Sequence, residues 1–161
     1  MNDILDCILD LLATAGVSAR VHEHAPVRTI DEAHRLAPQL VDGLVKTIAF
    51  EIEPGPRVVL AAVGHDAQVD YRALAATLGC NRRALRLIPA DRVERELGFE
   101  VGGLGPFALA PHVTVVLDTA VLAQGWLRCG AGLRTRTLEL AAADVRRASD
   151  ARVATIAKRG A

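Results

Sequence analysis

The stretch LVKTIAFEIEPGPRVVLAAV, residues 44–63, carries the clearest structural pattern of the sequence. Its first part, Leu44 to Ile52, alternates between two faces as a strand does. Its second part, Arg57 to Val63, is almost continuously apolar, as in a strand buried on both faces. The turn Pro54-Gly55-Pro56 separates the two parts. We therefore predict a β-hairpin at the centre of a sheet.

The sequence on either side of this hairpin alternates between helical and strand patterns. Capping residues, prolines and apolar spacing predict helices at 3–15, 29–36, 70–78, 89–97 and 142–147. Short strands are predicted at 17–24, 85–88, 113–118, around Leu127 and at 134–140, while residues 151–157 fit either state. This order predicts an α/β fold of the mixed α+β kind, formed by a single domain over residues 1–161.

Composition limits the class of protein. The chain has 161 residues, 51% of them hydrophobic, and no apolar run approaches the roughly 20 residues that a membrane helix needs. Its acidic, amphipathic N-terminus is unlike a signal peptide, so we expect a cytoplasmic protein that makes no membrane contact. The formal net charge is zero. This argues against a protein that grips long stretches of nucleic acid, so any RNA contact must be local or assisted by a partner.

Cysteine, histidine and serine usage leaves few routes to a standard active site. The three cysteines form no C-x-x-C pair, and only His22 and His24 are close in sequence. We therefore expect surface histidines, no metal site and no cofactor. The serines, Ser18 and Ser149, lie outside any G-x-S-x-G elbow. A hydrolase with this sequence would lack a standard triad.

Lys46 is the first candidate for chemistry. Lys46 and Lys158 are the only lysines among 19 basic residues, so the chain uses arginine wherever a generic positive charge suffices. On a strand, Lys46 would share an apolar face with Leu44, Ile48 and Phe50, where burial makes the interactions of a lysine strong. The alternative is a lysine at the rim of the sheet whose ammonium group reaches water.

The second candidate is the glycine-rich stretch GFEVGGLGPF, residues 98–107. Glycines let the backbone approach a ligand and direct its N–H groups at one point, which builds an oxyanion hole without side-chain donors. The stretch matches neither a Walker loop nor a dinucleotide fingerprint, and a tight structural connection is the alternative. A third candidate is the small-residue turn CGAG, residues 129–132, which would either line a pocket or simply join two strands.

Taken in order, these motifs resemble those of the YbaK/prolyl-tRNA synthetase-associated domain family of aminoacyl-tRNA deacylases, from about His24 to the C-terminus. Val45-Lys46-Thr47-Ile48 is similar to the family's Lys-Thr-Leu strand, and the segment from Val69-Asp70 to Leu78-Gly79 resembles the helix that follows. Gly98-Phe99 and the loop Gly102–Pro106 resemble the family's G-x-x-x-P loop with its preceding Gly-Tyr. Gly130-Ala131-Gly132, followed by Leu138-Glu139-Leu140, resembles the closing turn and strand.

The resemblance implies a partly barrel-like mixed sheet with surrounding helices, and a pocket for the aminoacyl-adenosine at the acceptor end of tRNA. It implies catalytic roles for Lys46, in electrostatics and orientation, and for Gly102, in positioning the aminoacyl carbonyl. The substrate-binding residues that it implies are Thr47, Gly103, Leu104, Gly105, Pro106, Cys129, Gly130, Ala131 and Gly132. The reaction would be hydrolysis of a mischarged tRNA, with prolyl-tRNA synthetase as a partner that supplies tRNA affinity.

Departures from the family pattern bear on the substrate. Gly105 stands where relatives often have Ser or Thr, which removes a hydroxyl, and Thr135 or Thr137 stands where some relatives have an acidic residue. Lys46-Thr47 favours the branch that clears Cys-tRNA(Pro) over the alanine-specific branch, which usually has Lys-Asn. Ala-, Ser- or Thr-charged tRNA is the alternative substrate, and a non-catalytic nucleotide- or RNA-binding module of the same fold is the alternative function.

Overall fold

The computed structural model describes residues 3–158 and places the predicted hairpin at the centre of the larger of two sheets. Strands β2 (Val45–Ile52) and β3 (Val58–Gly64) run antiparallel, with Lys46 opposite Val63. All of β3 except its last residue is buried, as expected for its apolar run. The hairpin prediction is confirmed.

The larger sheet has five strands in the order β4-β2-β3-β5-β8. Strand β4 (Leu85–Leu87) pairs antiparallel with β2. Strand β5 (Val113–Asp118) pairs parallel with β3, and β8 (Arg152–Ala154) pairs parallel with β5. The segment that fitted either helix or strand is therefore a strand in its central part.

The smaller sheet has three antiparallel strands in the order β1-β7-β6. They are β1 (Arg20–Glu23), β6 (Trp126–Gly130) and β7 (Arg136–Ala141). A bridge between Leu44 and Arg128 joins this sheet to the larger one just before β2 begins. The β structure therefore consists of two sheets joined at this bridge, where the family resemblance implied one partly barrel-like sheet.

In the described part of the chain, six α-helices surround the sheets, and five of them lie where the sequence predicted a helix. They are α1 (Ile4–Thr14), α2 (Ile30–Leu36), α3 (Tyr71–Leu78), α4 (Ala90–Leu97), α5 (Thr119–Ala123) and α6 (Ala142–Ala148). Thr29 and Asp70 accept hydrogen bonds from backbone N–H groups at the first turns of α2 and α3. The sequence reading missed α5, which is capped by Asp118 at the end of a strand. None of the helices between residues 3 and 158 has the length and hydrophobicity of a bilayer-spanning segment.

Both faces of the larger sheet are covered, so neighbouring residues of β2 meet different cores. Val45 and Ala49 pack into the core that includes side chains of α1, α4, α5 and α6. Phe50 and Ile52 pack on the opposite face, against α3. Because strand side chains alternate, Lys46 lies on the α3 side of β2 and Thr47 lies on the other side.

The carboxylate of Asp118 fixes the C-terminal segment and gives a test of the fold. The residue is 3% exposed, and its carboxylate accepts hydrogen bonds from the N–H groups of Ile156, Ala157 and Ala120 at 2.8, 3.0 and 3.0 Å. Asp118→Ala leaves these three amides unpaired. We expect the free energy of unfolding, measured by urea denaturation, to fall by about 3 kcal/mol or more.

The matched control is Asp10→Ala. Asp10 is exposed on α1, so its removal should change the unfolding free energy by no more than about 0.5 kcal/mol. Similar effects of the two substitutions would contradict an anchoring role for Asp118.

Candidate active site

A cavity of about 400 Å³ lies between β2, α2, the loop that follows α4, and the adjoining ends of β6 and β7. Most of its wall is apolar, with side chains such as Ile30, Ala33 and Leu40 on one side and Ile88 and Val93 on another. A cavity of this size and character, with a few polar groups, is typical of a small-molecule site. It is large enough to hold the end of a larger substrate.

Lys46 lies where the apolar face of β2 opens to solvent. It is half-buried, and it borders both the cavity and a neighbouring groove on the α3 side. No carboxylate between residues 3 and 158 lies within ion-pair distance of its ammonium group. The position combines the two sequence alternatives, since the lysine is at the rim of the sheet and also on a cavity wall. Its charge is therefore free to act on a bound ligand.

Thr47 presents an unusual hydroxyl to the same cavity. The residue is 8% exposed, and its Oγ1 has no hydrogen-bond partner among the described residues. Leaving a buried hydroxyl unpaired costs roughly 1–3 kcal/mol, so such groups call for an explanation. A ligand in the cavity that pairs with Oγ1 would supply one.

The glycine loop forms the wall opposite β2. Gly102 has φ +88°, and a Cβ there would overlap the carbonyl oxygen of Val27 and come within 2.6 Å of the Cα of Arg28. Both the backbone conformation and the close approach therefore require glycine. Gly102 and Leu104 line the cavity, and the structure gives their N–H groups no acceptor within residues 3–158.

Behind that wall, the loop interlocks with the backbone after β6. A Cβ on Gly105 would overlap the carbonyl oxygen of Gly130, and a Cβ on Gly130 would overlap that of Leu104. The N–H of Gly132 donates to the carbonyl of Gly103 at 2.7 Å. The absence of side chains thus lets two backbone segments touch and hydrogen-bond directly. We call this contact between residues 103–105 and 130–132 the glycine interlock.

Glu100 ties the start of the loop to the β6–β7 connection. Its backbone N–H donates to the carbonyl of Gly132 at 2.9 Å, and its carboxylate accepts from the N–H of Arg134, also at 2.9 Å. The guanidinium of Arg134 lies 3.3 Å from the Glu94 carboxylate on α4. The start of the loop is therefore held by contacts additional to the interlock.

Five of the eleven residues predicted for the site border the cavity. They are Lys46, Thr47, Gly102, Leu104 and Gly130. The other six lie behind the wall and support it; they are Gly103, Gly105, Pro106, Cys129, Ala131 and Gly132. The segments that the sequence selected therefore meet at one cavity, but the sequence did not separate the residues that border the cavity from those that lie behind its wall.

Cys129 corrects the predicted position of one turn. The sequence placed this residue in a turn that either lines a pocket or joins two strands, whereas the structure places it inside β6, fully buried in the core and away from the cavity wall. Burial raises the pKa of the Cys129 thiol well above its usual value, so the group is a neutral thiol at physiological pH. It acts as a core side chain.

His24 lines the cavity, although the sequence predicted an ordinary surface histidine. Its Nδ1 lies 2.8 Å from the carbonyl oxygen of Ala25, and its Nε2 lies 2.8 Å from Oγ1 of Thr137. Because a carbonyl oxygen only accepts, Nδ1 carries a proton, and in the neutral ring Nε2 accepts from the Thr137 hydroxyl. The pair fixes the direction of a hydroxyl at the cavity wall. Only the pairing of β1 with β7 reveals it, which local sequence does not show.

The charged groups at the cavity are mostly basic. Arg28, Arg136 and Lys46 border it, together with one acidic residue, Glu100. Arg136 lies 3.3 Å from the carboxylate of Glu23, a surface pair. Between residues 3 and 158, no group of three or more His, Cys, Asp or Glu side chains is arranged to hold a metal ion.

Comparison with known proteins adds to this geometry. The family model of the aminoacyl-tRNA editing domain matches residues 24–148. The chain is 25% identical over 120 residues to the prolyl-tRNA editing protein ProX of Acetoanaerobium sticklandii, covering 72% of each protein. It is 26% identical over 117 residues to the proline–tRNA ligase of a Thermoanaerobacter species, covering 72% of this chain and 20% of the ligase.

A solved structure shares the fold. The crystal structure of a candidate trans-editing enzyme for prolyl tRNA synthetase superposes with a TM-score of 0.79 at 22% identity, covering 99% of each chain. At that identity the likeness shows the fold alone. It is the mixed α+β arrangement that the sequence predicted.

The glycine interlock predicts that a side chain at Gly105 destabilises the fold by steric overlap and not by an unfavourable backbone conformation. Gly105 and Gly64 both have an ordinary φ, but a Cβ on Gly105 would overlap backbone whereas one on Gly64 meets only the Asp66 carboxylate, at 3.4 Å. We expect Gly105→Ala to lower the free energy of unfolding by about 2 kcal/mol or more. Gly64→Ala should leave it nearly unchanged. Equal effects in thermal or urea unfolding would mean that the interlock is not tightly packed.

Proposed function

Because this chain belongs to the aminoacyl-tRNA editing domain family, we propose that it is a stand-alone trans-editing hydrolase that removes cysteine from Cys-tRNA(Pro). Membership of the family makes the chain an aminoacyl-tRNA deacylase, an enzyme that hydrolyses the ester between an amino acid and tRNA. The observation that carries the proposal is the placement of Lys46 and Thr47 on one wall of the cavity, opposite the backbone of Gly102 and Leu104. The whole chain acts as one domain, in the cytoplasm.

The reaction requires little catalytic assistance from the protein, because an aminoacyl ester is already activated toward hydrolysis. Water attacks the carbonyl carbon, the bond to the ribose oxygen breaks, and that oxygen receives a proton. Lys46 stabilises the negative charge that develops and orients the substrate, while the N–H groups of Gly102 and Leu104 are available to the carbonyl oxygen. The amine or the ribose hydroxyl of the substrate itself activates the water. No side-chain triad is required.

The chemistry of the cavity supports cysteine as the amino acid. The wall is mainly apolar and, within residues 3–158, carries one buried hydroxyl without a hydrogen-bond partner, that of Thr47. A short side chain with one weakly polar group, such as a thiol, fits both features. Size supplies the rest of the discrimination, although each methylene is worth only about 1–3 kcal/mol by binding. The similarity to a prolyl-tRNA editing protein supports tRNA(Pro) as the carrier.

The tRNA presents its acceptor end, with the aminoacyl-adenosine in the cavity. A chain with zero net charge has little general attraction for RNA. We therefore assign part of the tRNA affinity to prolyl-tRNA synthetase as a partner. The similarity to a segment of a proline–tRNA ligase supports this choice, because there a related sequence is part of the synthetase chain.

A deacylation panel tests the activity and the substrate together. Cys-, Ala-, Ser-, Thr- and Pro-charged tRNAs are incubated with the protein, and we expect Cys-tRNA(Pro) to be hydrolysed fastest. Lys46→Ala should lower kcat by roughly 100-fold or more, because it removes the charge that faces the developing oxyanion. The matched control is Arg146→Ala on α6, an exposed residue remote from the cavity, which should keep full activity.

Other outcomes of the panel have definite meanings. Faster release of alanine, serine or threonine would replace cysteine as the substrate while leaving the mechanism intact. Hydrolysis no faster than in buffer for every tRNA would instead indicate a non-catalytic nucleotide- or RNA-binding module. Circular dichroism of Lys46→Ala establishes that any loss of activity is not a loss of fold.

The substitution Thr47→Val tests whether the Thr47 hydroxyl contributes to substrate binding or to the stability of the fold. Valine keeps the branched shape and removes a hydroxyl that has no protein partner, so the free energy of unfolding should stay the same or rise by up to about 1 kcal/mol. Because the substrate loses a hydrogen bond, kcat/KM for Cys-tRNA(Pro) should fall by about tenfold. Thr47→Ser keeps the hydroxyl and should retain most of the activity. Loss of activity in both variants would point to packing rather than hydrogen bonding.

A further inference from the structure

A second hollow lies beside the cavity, on the α3 side of β2. Its basic and aromatic border consists of Lys46, Tyr71, Arg72, Arg82 and Lys158, and we call it the cationic groove. Lys46, Ile48 and Leu87 border both hollows. A ligand whose end fills the cavity can therefore continue into the groove without leaving the surface.

The groove carries a local surplus of positive charge. Four of its border residues are basic, and Asp70 is its only carboxylate. That carboxylate already accepts hydrogen bonds from the N–H groups of Arg72 and Ala73, at 3.0 and 3.1 Å, as the cap of α3. Charge therefore concentrates here, in a chain whose formal net charge is zero.

Among the described residues, none of these cations has a carboxylate within ion-pair distance. Within residues 3–158, carboxylates pair with seven arginines, and none of those seven borders the groove. Elsewhere on the surface, paired arginines such as Arg92 and Arg128 are neutralised by neighbouring glutamates. An anionic ligand such as a phosphate that binds in the groove does not have to displace a protein carboxylate. It can therefore pair directly with these basic side chains.

One of the cations is held in place before any ligand arrives. The guanidinium carbon of Arg82 lies 4.5 Å from the centroid of the Tyr71 ring, and that ring packs edge-on against the buried Phe50 at 5.0 Å. Such stacking reduces the side-chain entropy that binding would otherwise remove. Nearby, Leu87 is 52% exposed and offers an apolar surface at the junction of the two hollows.

We propose that the cationic groove binds the sugar-phosphate backbone of the single-stranded 3′ end of tRNA, just upstream of the terminal adenosine. The proposal rests on the proposed function, because it takes the aminoacyl-adenosine to occupy the cavity. Phosphates of the preceding nucleotides contact Arg72, Arg82 and Lys158, and a base packs on Leu87. Lys46 lies at the boundary, between the first phosphate and the ester.

The test compares two substrates with the same ester. Cys-tRNA(Pro) carries the phosphates, whereas 3′-O-cysteinyl-adenosine has none. The combined variant Arg72→Gln and Arg82→Gln should lower kcat/KM for the tRNA by roughly tenfold or more, and should leave the value for the adenosine ester unchanged. The logarithmic salt dependence of tRNA binding should become shallower by about 0.7 for each phosphate contact removed.

Arg146→Gln is the matched control, since it changes an unpaired surface charge on α6, away from the groove. Equal loss in this control would show a general charge effect and would overturn the proposal. Equal loss on both substrates would do the same, because it would place the arginines at the ester.

A direct binding measurement keeps this proposal distinct from the proposed function. An uncharged RNA hairpin ending in single-stranded ACCA is titrated into the wild-type and variant proteins. If no charged tRNA is hydrolysed but the hairpin binds and the double variant weakens it, the proposed function fails while the groove is supported. Unchanged hairpin binding in the double variant overturns the groove even when hydrolysis is observed.

Discussion

Direct backbone contact between two glycine-bearing segments is the constraint on which the rest of the site depends. At the glycine interlock, residues 103–105 meet 130–132 with no side chain between them. This contact fixes the loop against the end of β6, and the bridge from Arg128 to Leu44 fixes β6 against β2. The width of the cavity, and the distance from Lys46 to the opposite backbone, follow from those two contacts.

Much of the fold could be predicted because its signals are local. The central hairpin, the caps at Thr29 and Asp70, and the strand at Val113–Asp118 each depend on neighbours in sequence. Helix α5 was missed because it is short and begins directly at the end of a strand. The role of His24 was missed because its partner, Thr137, lies across a sheet, and the pairing register of distant strands has no local signature.

In the candidate site, too, local signals could be predicted from the sequence and long-range contacts could not. Lys46 was identified from composition and alternation, and its neighbour Thr47 from the order of motifs, yet the two residues point to opposite faces of β2. Both reach the cavity because the strand begins where the two sheets are joined. The predicted turn began at Cys129, whereas β6 continues to Gly130. Cys129 is therefore a strand residue behind the cavity wall. The alternation of side chains along a strand predicts which face of the sheet each residue occupies only when the ends of the strand are known.

The interlock also limits how such a pocket can change over generations. The carbonyl oxygen of Gly130 fills the space that any side chain at position 105 would need, and the carbonyl oxygen of Leu104 does the same for position 130. A side chain at either position therefore requires the opposite backbone segment to move. The two positions are coupled, so a substitution at one is tolerated only together with a change at the other. Substitutions that reshape the cavity without disturbing this contact are those of side chains on its other walls, such as Thr47 on β2 or Thr137 on β7.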